Sequence, residues 1–323
     1  MKRVSLMIGL FFLVHGLTPG VSPLRAQTYP DRPIQLVIPV APGVVLDITG
    51  RLLAQELTKI LKMQVVVLNK PGASMVLGTD QVARSKKDGY TIGYANTSAI
   101  VYARVTNPET VPYDPVKDLE PLGLHLFFPL TVTVQASSPW KTFGELIDYA
   151  KNNPGKLRVS TPGEATIDHF NIGITQMLTG AEFTHVPFKG GQSVTALLGG
   201  NVEVTYYSLS QVLPYAESGT LRILLLTNKV AAFPNVPTIR ELGYKQDLFS
   251  AWVGLYAPTG LPEEVKRILI TAIEKAVNEP ESKEKINKMG FVVSYKPPEE
   301  LRKLGIEDYE KAYEVAKKLG IRK

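Results

Sequence analysis

The chain has 323 residues, 44% of them hydrophobic and 20% charged, with a formal net charge of +6 and no cysteine. That length allows two lobes with a core in each, while the lack of cysteine excludes a disulfide framework, thiolate metal ligands and a lipid-bearing cysteine. Adjacent basic residues occur only as pairs, at Lys2-Arg3, Lys86-Lys87, Lys266-Arg267, Arg302-Lys303, Lys317-Lys318 and Arg322-Lys323, so nucleic-acid binding has little support.

Lys2 and Arg3 precede an apolar run from Val4 to Val14, and Leu24-Arg25-Ala26 offers a cleavage site before Gln27. This is the form of a secretory signal peptide, expected over residues 1–26 and cleaved. The apolar run is far short of the roughly 20 residues that cross a bilayer. Lys2, Arg3 and Arg25 belong to the leader, which holds no acid, so the formal charge is +3 over the 297 residues after Ala26. A mildly basic surface slightly favours anionic ligands.

Beyond the leader, short apolar runs alternate with helical patterns. Strands are expected at Ile34–Pro39, Val65–Leu68, Thr91–Ala95, Leu157–Ser160, Phe183–Val186, Val202–Tyr206 and Arg222–Leu226, with helices at Leu46–Leu61, Phe143–Asn152, Ile167–Leu178 and Val194–Leu198. This is the α/β pattern of sheets covered on both faces. Two longer extended stretches, Leu126–Gln135 and Phe249–Ala257, fit no unit of strand, helix and strand, and read as crossovers between lobes. They predict domain I over 27–130 and 250–323 and domain II over 131–249. C-terminal helices at Pro262–Val277, Glu281–Met289 and Pro298–Leu319 would then pack back on domain I.

Two turns stand out, each between an apolar strand and an amphipathic helix. Ile34–Pro39 runs into Val40-Ala41-Pro42-Gly43, and Val65–Leu68 runs into Asn69-Lys70-Pro71-Gly72-Ala73 before a helix near Gly78. Such turns lie at the carboxyl edge of an open α/β sheet, where free backbone N–H groups and a positive helix end face a bound carboxylate or phosphate.

The surrounding phrases occur in a fixed order: Tyr29-Pro30-x-Arg32-Pro33-Ile34, Pro42-Gly43 with Asp47 and Arg51, Asn69-x-Pro71-Gly72-Ala73, Asp88-Gly89-Tyr90-Thr91, Val186-Pro187-Phe188-Lys189-Gly190, Val236-Pro237-Thr238 with Glu241 and Gly243, and Trp252-x-Gly254 with Ala257-Pro258. Together they resemble the substrate-binding proteins of tripartite tricarboxylate transporters, the Bug family, over nearly the whole chain after the leader. The resemblance implies a two-lobed type II periplasmic binding protein, each lobe a sheet flanked by helices with a ligand cleft between them. It further implies a monomeric periplasmic receptor that closes around a small organic carboxylate and delivers it to membrane subunits of a transporter, with no cofactor and no metal.

The first turn is normally glycine-rich in that family, but here it reads Gly43-Val44-Val45-Leu46-Asp47, and β-branched residues tolerate positive φ poorly. Either the loop takes another path, or the family's glycines serve for room and not for handedness. In the second turn Ser74 and Met75 stand where two glycines are usual, with Val76 and Leu77 before Gly78. If Val44, Val45 and Met75 line the cleft, a carboxylate with an apolar body suits it better than citrate, whose extra charges would be stranded. The alternative is packing of these residues against neighbouring helices. Ser74 could hydrogen-bond a carboxylate directly, whereas Asp47 reads more readily as a helix N-terminal acid and is a secondary candidate.

In domain II the resemblance points to Thr161-Pro162-Gly163-Glu164-Ala165-Thr166 followed by His169. Thr161 and Thr166 can present hydroxyls, Thr166 can also cap the helix, and a lone His169 inside that helix reads more readily as structural than as a ligand contact. Phe188 stands where the family usually carries Tyr, and Lys189 is a solvated lysine by default. One of Tyr206 and Tyr207, near Glu203 and Ser208, would face the cleft. The candidate ligand contacts are therefore Pro42, Gly43, Val44, Val45, Asp47, Gly72, Ala73, Ser74, Met75, Thr161, Gly163, Thr166, His169, Phe188 and Tyr207.

Enzyme motifs are weak. Gly191-Gln192-Ser193-Val194-Thr195 lacks the second glycine of a nucleophile elbow, and no paired histidine spacing, Walker loop or G-x-G-x-x-G occurs. A non-catalytic receptor is expected. A sensor that presents its closed state to a signalling receptor is the runner-up, and a hydrolase a distant third.

Overall fold

The computed structural model describes residues 29–189 and 192–321. The leader with its Gln27 boundary lies outside them, as do Gly190, Gly191, Arg322 and Lys323. The first part of the chain forms β1 (Ile34–Ile38), α1 (Val45–Leu61), β2 (Val65–Asn69), α2 (Val76–Ala83), β3 (Thr91–Asn96), α3 (Ala103–Thr106) and β4 (Leu119–Phe128). The middle forms β5 (Leu130–Gln135), α4 (Phe143–Asn152), β6 (Arg158–Thr161), α5 (Ile167–Thr179), β7 (Thr184–Pro187), α6 (Gln192–Leu198), β8 (Val204–Ser208), α7 (Leu209–Glu217) and β9 (Leu221–Leu226). The last part forms β10 (Ala251–Pro258), α8 (Glu263–Val277), α9 (Pro280–Lys288), β11 (Val292–Lys296) and α10 (Pro298–Lys318).

Two mixed sheets result, each flanked by helices. The first runs β11-β4-β10-β3-β1-β2 and the second β7-β6-β8-β5-β9. The expected crossover Leu126–Gln135 is broken by Pro129, which ends β4 in one sheet and precedes β5 in the other. Proline lacks the N–H a ladder needs, so the break falls where pairing cannot continue. The return crossing lies beside it, since β10 pairs with β4 through Ala251 opposite Phe128 and Trp252 opposite Phe127. Asn171 of α5 holds this junction: its Nδ2 donates to the Phe249 carbonyl at 2.9 Å and its Oδ1 accepts the Phe249 N–H at 2.7 Å.

Packing follows the alternation of apolar residues. Leu36, Ile38, Leu53, Leu57, Tyr94, Leu255 and Ile273 fill one side of the first sheet. On its other side a single buried cluster runs from Val37 and Leu124 through Tyr102, Phe170 and Phe249 to Val132, Phe143 and Val159 of the second lobe. Tyr102 meets Phe170 at 5.4 Å and Phe249 at 5.6 Å between ring centres. Phe128 packs edge-on against Phe291 at 4.6 Å, and Phe127 adds to the shared cluster. Helices α8 and α9 pack on the first lobe as expected, but α10 touches both: it crosses β4 and also meets α5, where Leu319 lies against Gly173.

Candidate ligand-binding site

Parallel pairing of β1 with β2 and with β3 brings Ile38, Asn69 and Asn96 to one carboxyl edge. The turn after β1 is built on Asp47, only 2% exposed. Its Oδ2 accepts the Gly43 N–H at 2.9 Å and Arg51 Nε at 2.9 Å, while Oδ1 accepts Asn69 Nδ2 at 2.8 Å. Burial opposes the charge, but the hydrogen bonds from Arg51, Gly43 and Asn69 outweigh it and hold the carboxyl below its ordinary range. Asn69 Nδ2 also donates to the Val40 carbonyl at 3.0 Å, which ties the first turn to the end of β2. Gly78 completes the contact between turns, because a Cβ there would lie 2.8 Å from Pro39 Cβ.

The two turns differ in handedness. Val44 is extended, with φ −75° and ψ 158°, and Val45 opens α1. Only Gly43 takes positive φ, +84°, with open space where a Cβ would stand. In the second turn Ala73, Ser74 and Met75 all adopt positive φ, at 46°, 52° and 74°, after Gly72 at 135°. Each left-handed non-glycine residue costs about 1–2 kcal/mol, so three in succession are held by their surroundings. This tight left-handed turn is exposed at Ala73 and Ser74, beside the Gly43 turn.

The second lobe repeats the arrangement, with β6 parallel to β7 and to β8. Thr161, fully buried, donates its hydroxyl to the Gly163 carbonyl at 2.9 Å and lies 2.7 Å from His185 Nε2. Thr166 also donates to the Gly163 carbonyl at 2.9 Å, and its oxygen caps α5 by accepting the His169 N–H at 3.4 Å. His169 Nδ1 accepts the Ala165 N–H at 3.2 Å, which places the ring proton on Nε2. The His169 and His185 rings stack at 4.1 Å. Burial lowers both, and the neighbouring His169 helps bring His185 down to about 4, so the pair is neutral at ordinary pH.

Residues 49–321 match the tripartite tricarboxylate transporter family receptor, TctC. The chain belongs to that family. It is 36% identical over 311 residues to the "UPF0065 protein in gbd 5'region" of Cupriavidus necator, covering 95% of this chain and 94% of that protein. It is 34% identical over 280 residues to Protein BugT of Bordetella pertussis, covering 86% and 85%. Among solved structures, a TctC solute-binding protein from Polaromonas superposes with a TM-score of 0.81 at 28% identity, covering 90% of this chain and 100% of that one. Two 26%-identical neighbours were solved with ligands: R. palustris Rpa4515 with adipate, TM-score 0.73 over 90% and 98% of the two chains, and MatC from Rhodopseudomonas palustris with malate, TM-score 0.69 over 89% and 99%.

In this TctC-family chain the residues expected at the cleft fall into two groups, one per lobe. Pro42, Gly43 and Val44 are exposed on the first turn, Gly72, Ala73 and Ser74 on the second. Val44 keeps 44% of its surface, whereas Val45 and Met75 pack against the first-lobe core and Leu46 is buried in it. Leu46 is thus a core residue, and Val45 and Met75 keep part of their surface exposed. Phe188 donates its N–H to the Thr161 carbonyl at 2.9 Å and packs on the cluster behind α6 and α7. Tyr206 is buried, its hydroxyl donating to Thr175 at 3.0 Å, which leaves Tyr207 as the partly exposed member of the pair. Glu203, named beside the tyrosines, is at the opposite edge of the second sheet: it precedes β8 and bonds Arg158, the first residue of β6, at 2.5 Å. Burial works against its charge and the Arg158 hydrogen bonds more than offset this.

Three positioning features were not singled out from the sequence. Asn69 links both first-lobe turns, and Asn96 Oδ1 caps a third by accepting the N–H groups of Ser98 at 3.1 Å and Ala99 at 3.4 Å. An asparagine closing an apolar strand is the available signal for both. The stacked histidines left no signal, since 16 positions separate them on different elements.

Proposed function

We propose that this protein is a periplasmic solute receptor that captures one small organic carboxylate between its lobes and presents it, chemically unchanged, to the membrane subunits of a tripartite tricarboxylate-type transporter. The reading takes residues 1–26 as a cleaved leader, 27–130 with 250–323 as one lobe, and 131–249 as the other. The observation that carries it is the strained turn Ala73-Ser74-Met75, left-handed without glycine. Strain of this kind is retained where a site needs a fixed geometry, and this turn sits at a carboxyl edge beside the Gly43 turn. The adipate and malate complexes of family neighbours support a carboxylate as the ligand class.

The ligand carboxylate takes backbone amides of Gly72 to Met75 and of Val44 and Val45, with Ser74 as a hydroxyl donor. Val44 supplies apolar surface to the ligand body, with Val45 and Met75 behind it. Thr161, Gly163, Thr166 and His169 shape the facing turn, where His169 Nε2–H is a donor, and Phe188 and Tyr207 close that side. Asp47 acts on the ligand by holding the Gly43 turn. A ligand that touches both groups stabilises the closed form over the open one by its differential affinity, and closure is what a membrane partner recognises. Citrate binds poorly, because its additional carboxylates meet no side-chain cation among these residues.

Mass spectrometry of ligand released from natively purified protein, followed by calorimetric titration with a monocarboxylate, a dicarboxylate and citrate, tests the reading. A released or titrated carboxylate with Kd in the micromolar range or below supports it. Failure of every carboxylate, or chemical turnover of any, overturns it.

A further inference from the structure

Asp168, the second residue of α5, is 4% exposed, and among the described residues its Oδ1 has no hydrogen-bond partner. The Tyr102 hydroxyl, supplied by the first lobe, is likewise buried without a partner. Tyr102 is 6% exposed and sits in the turn before α3. The Asp168 charge reaches both Tyr102 and the half-buried Tyr207 at the end of β8, adding to the burial that raises each phenol. Asp168 therefore stands where three segments meet: the first turn of α5, the cleft end of β8 and the Tyr102 turn of the opposite lobe.

Among the described residues no cation acts on its charge. Asp308 of α10 also acts on Tyr102, but that carboxyl is answered by Trp252 Nε1 at 2.8 Å and by the Lys311 charge. Asp168 has only its own backbone N–H, and burial pushes it up to about 7. An uncompensated carboxylate in such a place is costly, and a hydrogen-bonded cation is the partner that offsets the cost.

We infer that Asp168 receives the protonated amine of the ligand, so that the ligand carries a carboxylate for the first-lobe turns and an ammonium group for the second lobe. This rests on the receptor reading above and narrows its ligand class to amino carboxylates. Tyr102 of the first lobe and Tyr207 of the second both lie within reach of the Asp168 charge, so an ammonium group there can draw on residues of both lobes. Its three donors match the acceptors available at Asp168, Tyr102 and Tyr207.

The test offers the full chain after its leader an equimolar mixture of alanine, valine, leucine, phenylalanine and glutamate together with propionate, 3-methylbutanoate, 4-methylpentanoate, 3-phenylpropanoate and glutarate. Equilibrium dialysis at neutral pH, read by mass spectrometry, gives the bound ratio for each matched pair. The expected result is enrichment of at least one amino member over its desamino partner by roughly tenfold or more, the scale of one charge-assisted hydrogen bond, and loss of that preference in Asp168→Asn. Carboxylates retained without regard to the amine, or glutarate preferred through a shared proton, overturn the inference and leave the receptor reading standing. Retention of nothing overturns both. Should Asp168→Asn fail to fold, the parent ratio decides alone, and a ratio near one overturns the inference.

Discussion

Glycine substitution should act with opposite sign in the two first-lobe turns. Ala73 and Ser74 are exposed and left-handed at φ 46° and 52°, so glycine relieves about 1–2 kcal/mol at either position. Glycine also gives the unfolded chain more freedom, which takes back about 0.4–1 kcal/mol. The net expectation is stabilisation by about 0.5–1 kcal/mol for Ala73→Gly and, because its exposed hydroxyl is not held in the core, for Ser74→Gly as well. Val44 is equally exposed but extended at φ −75°. With no strain to relieve, Val44→Gly keeps only the entropic loss, about 0.4–1 kcal/mol of destabilisation. Urea unfolding should show the midpoints moving apart at unchanged slope. Carboxylate binding should weaken in Ser74→Gly even as the fold gains, because a relaxed turn holds its amides less rigidly. If Ala73→Gly loses as much stability as Val44→Gly, the turn is not strained and the reading that it is held for ligand binding loses its physical basis.

Asp47→Ala leaves the Gly43 N–H, Arg51 and Asn69 without their shared acceptor; with Arg51 able to reach water, a loss of about 2–3 kcal/mol is expected in urea unfolding, along with weaker ligand binding. Asn171→Ala strips both partners from the buried Phe249 backbone at the lobe junction, and about 2–4 kcal/mol should be lost in the same assay. His185 is held to about 4 in the fold against an ordinary value near 6.5, so between those values the unfolded chain binds more protons; its contribution is complete above about pH 6.5 and lost as pH falls toward 4, and His185→Gln should lose less stability than the parent over that interval. Asp168 has the opposite sign. Its carboxyl, near 7 in the fold, keeps a proton the unfolded chain has released, so its contribution is present below about pH 4 and lost as pH rises through 7, and Asp168→Asn should gain most over the parent above pH 7.

The alternating elements were legible because their local signals agree with the fold. Helix α4 starts where Thr142 and Glu145 form a capping box, and it occupies the expected Phe143–Asn152. The amino half of β4 was not legible, since Pro121 and Gly123 argue against a strand. Its pairing with β10 shows why it is one: the register shifts between Val253 and Gly254 and again between Leu255 and Tyr256. The strand carries its proline and glycine beside these irregularities, where an interrupted ladder tolerates them. The role of α10 was misplaced for a different reason. Its sequence shows an apolar face but not which lobe that face covers, and the contact of Leu319 with Gly173 is a tertiary fact.

The site divides along the same line. Pro-Gly phrases after apolar strands located both first-lobe turns, because strand, turn and helix are consecutive in the chain. Which turn would be left-handed depended on side-chain branching combined with a path the sequence does not state. Val44 and Val45, β-branched, keep ordinary dihedrals and leave positive φ to Gly43, whereas the unbranched Ala73, Ser74 and Met75 accept it. In the first turn left-handedness thus falls to glycine, and in the second it extends from Gly72 into three non-glycine residues. Asp168 lies beyond this kind of reading altogether. An acid in the first turn of a helix is the ordinary response to the helix dipole, and that position alone shows neither its 4% exposure nor the lack of a partner for its Oδ1 among the described residues. Its isolation is thus a tertiary property, set by which segments of the two lobes the fold brings around α5.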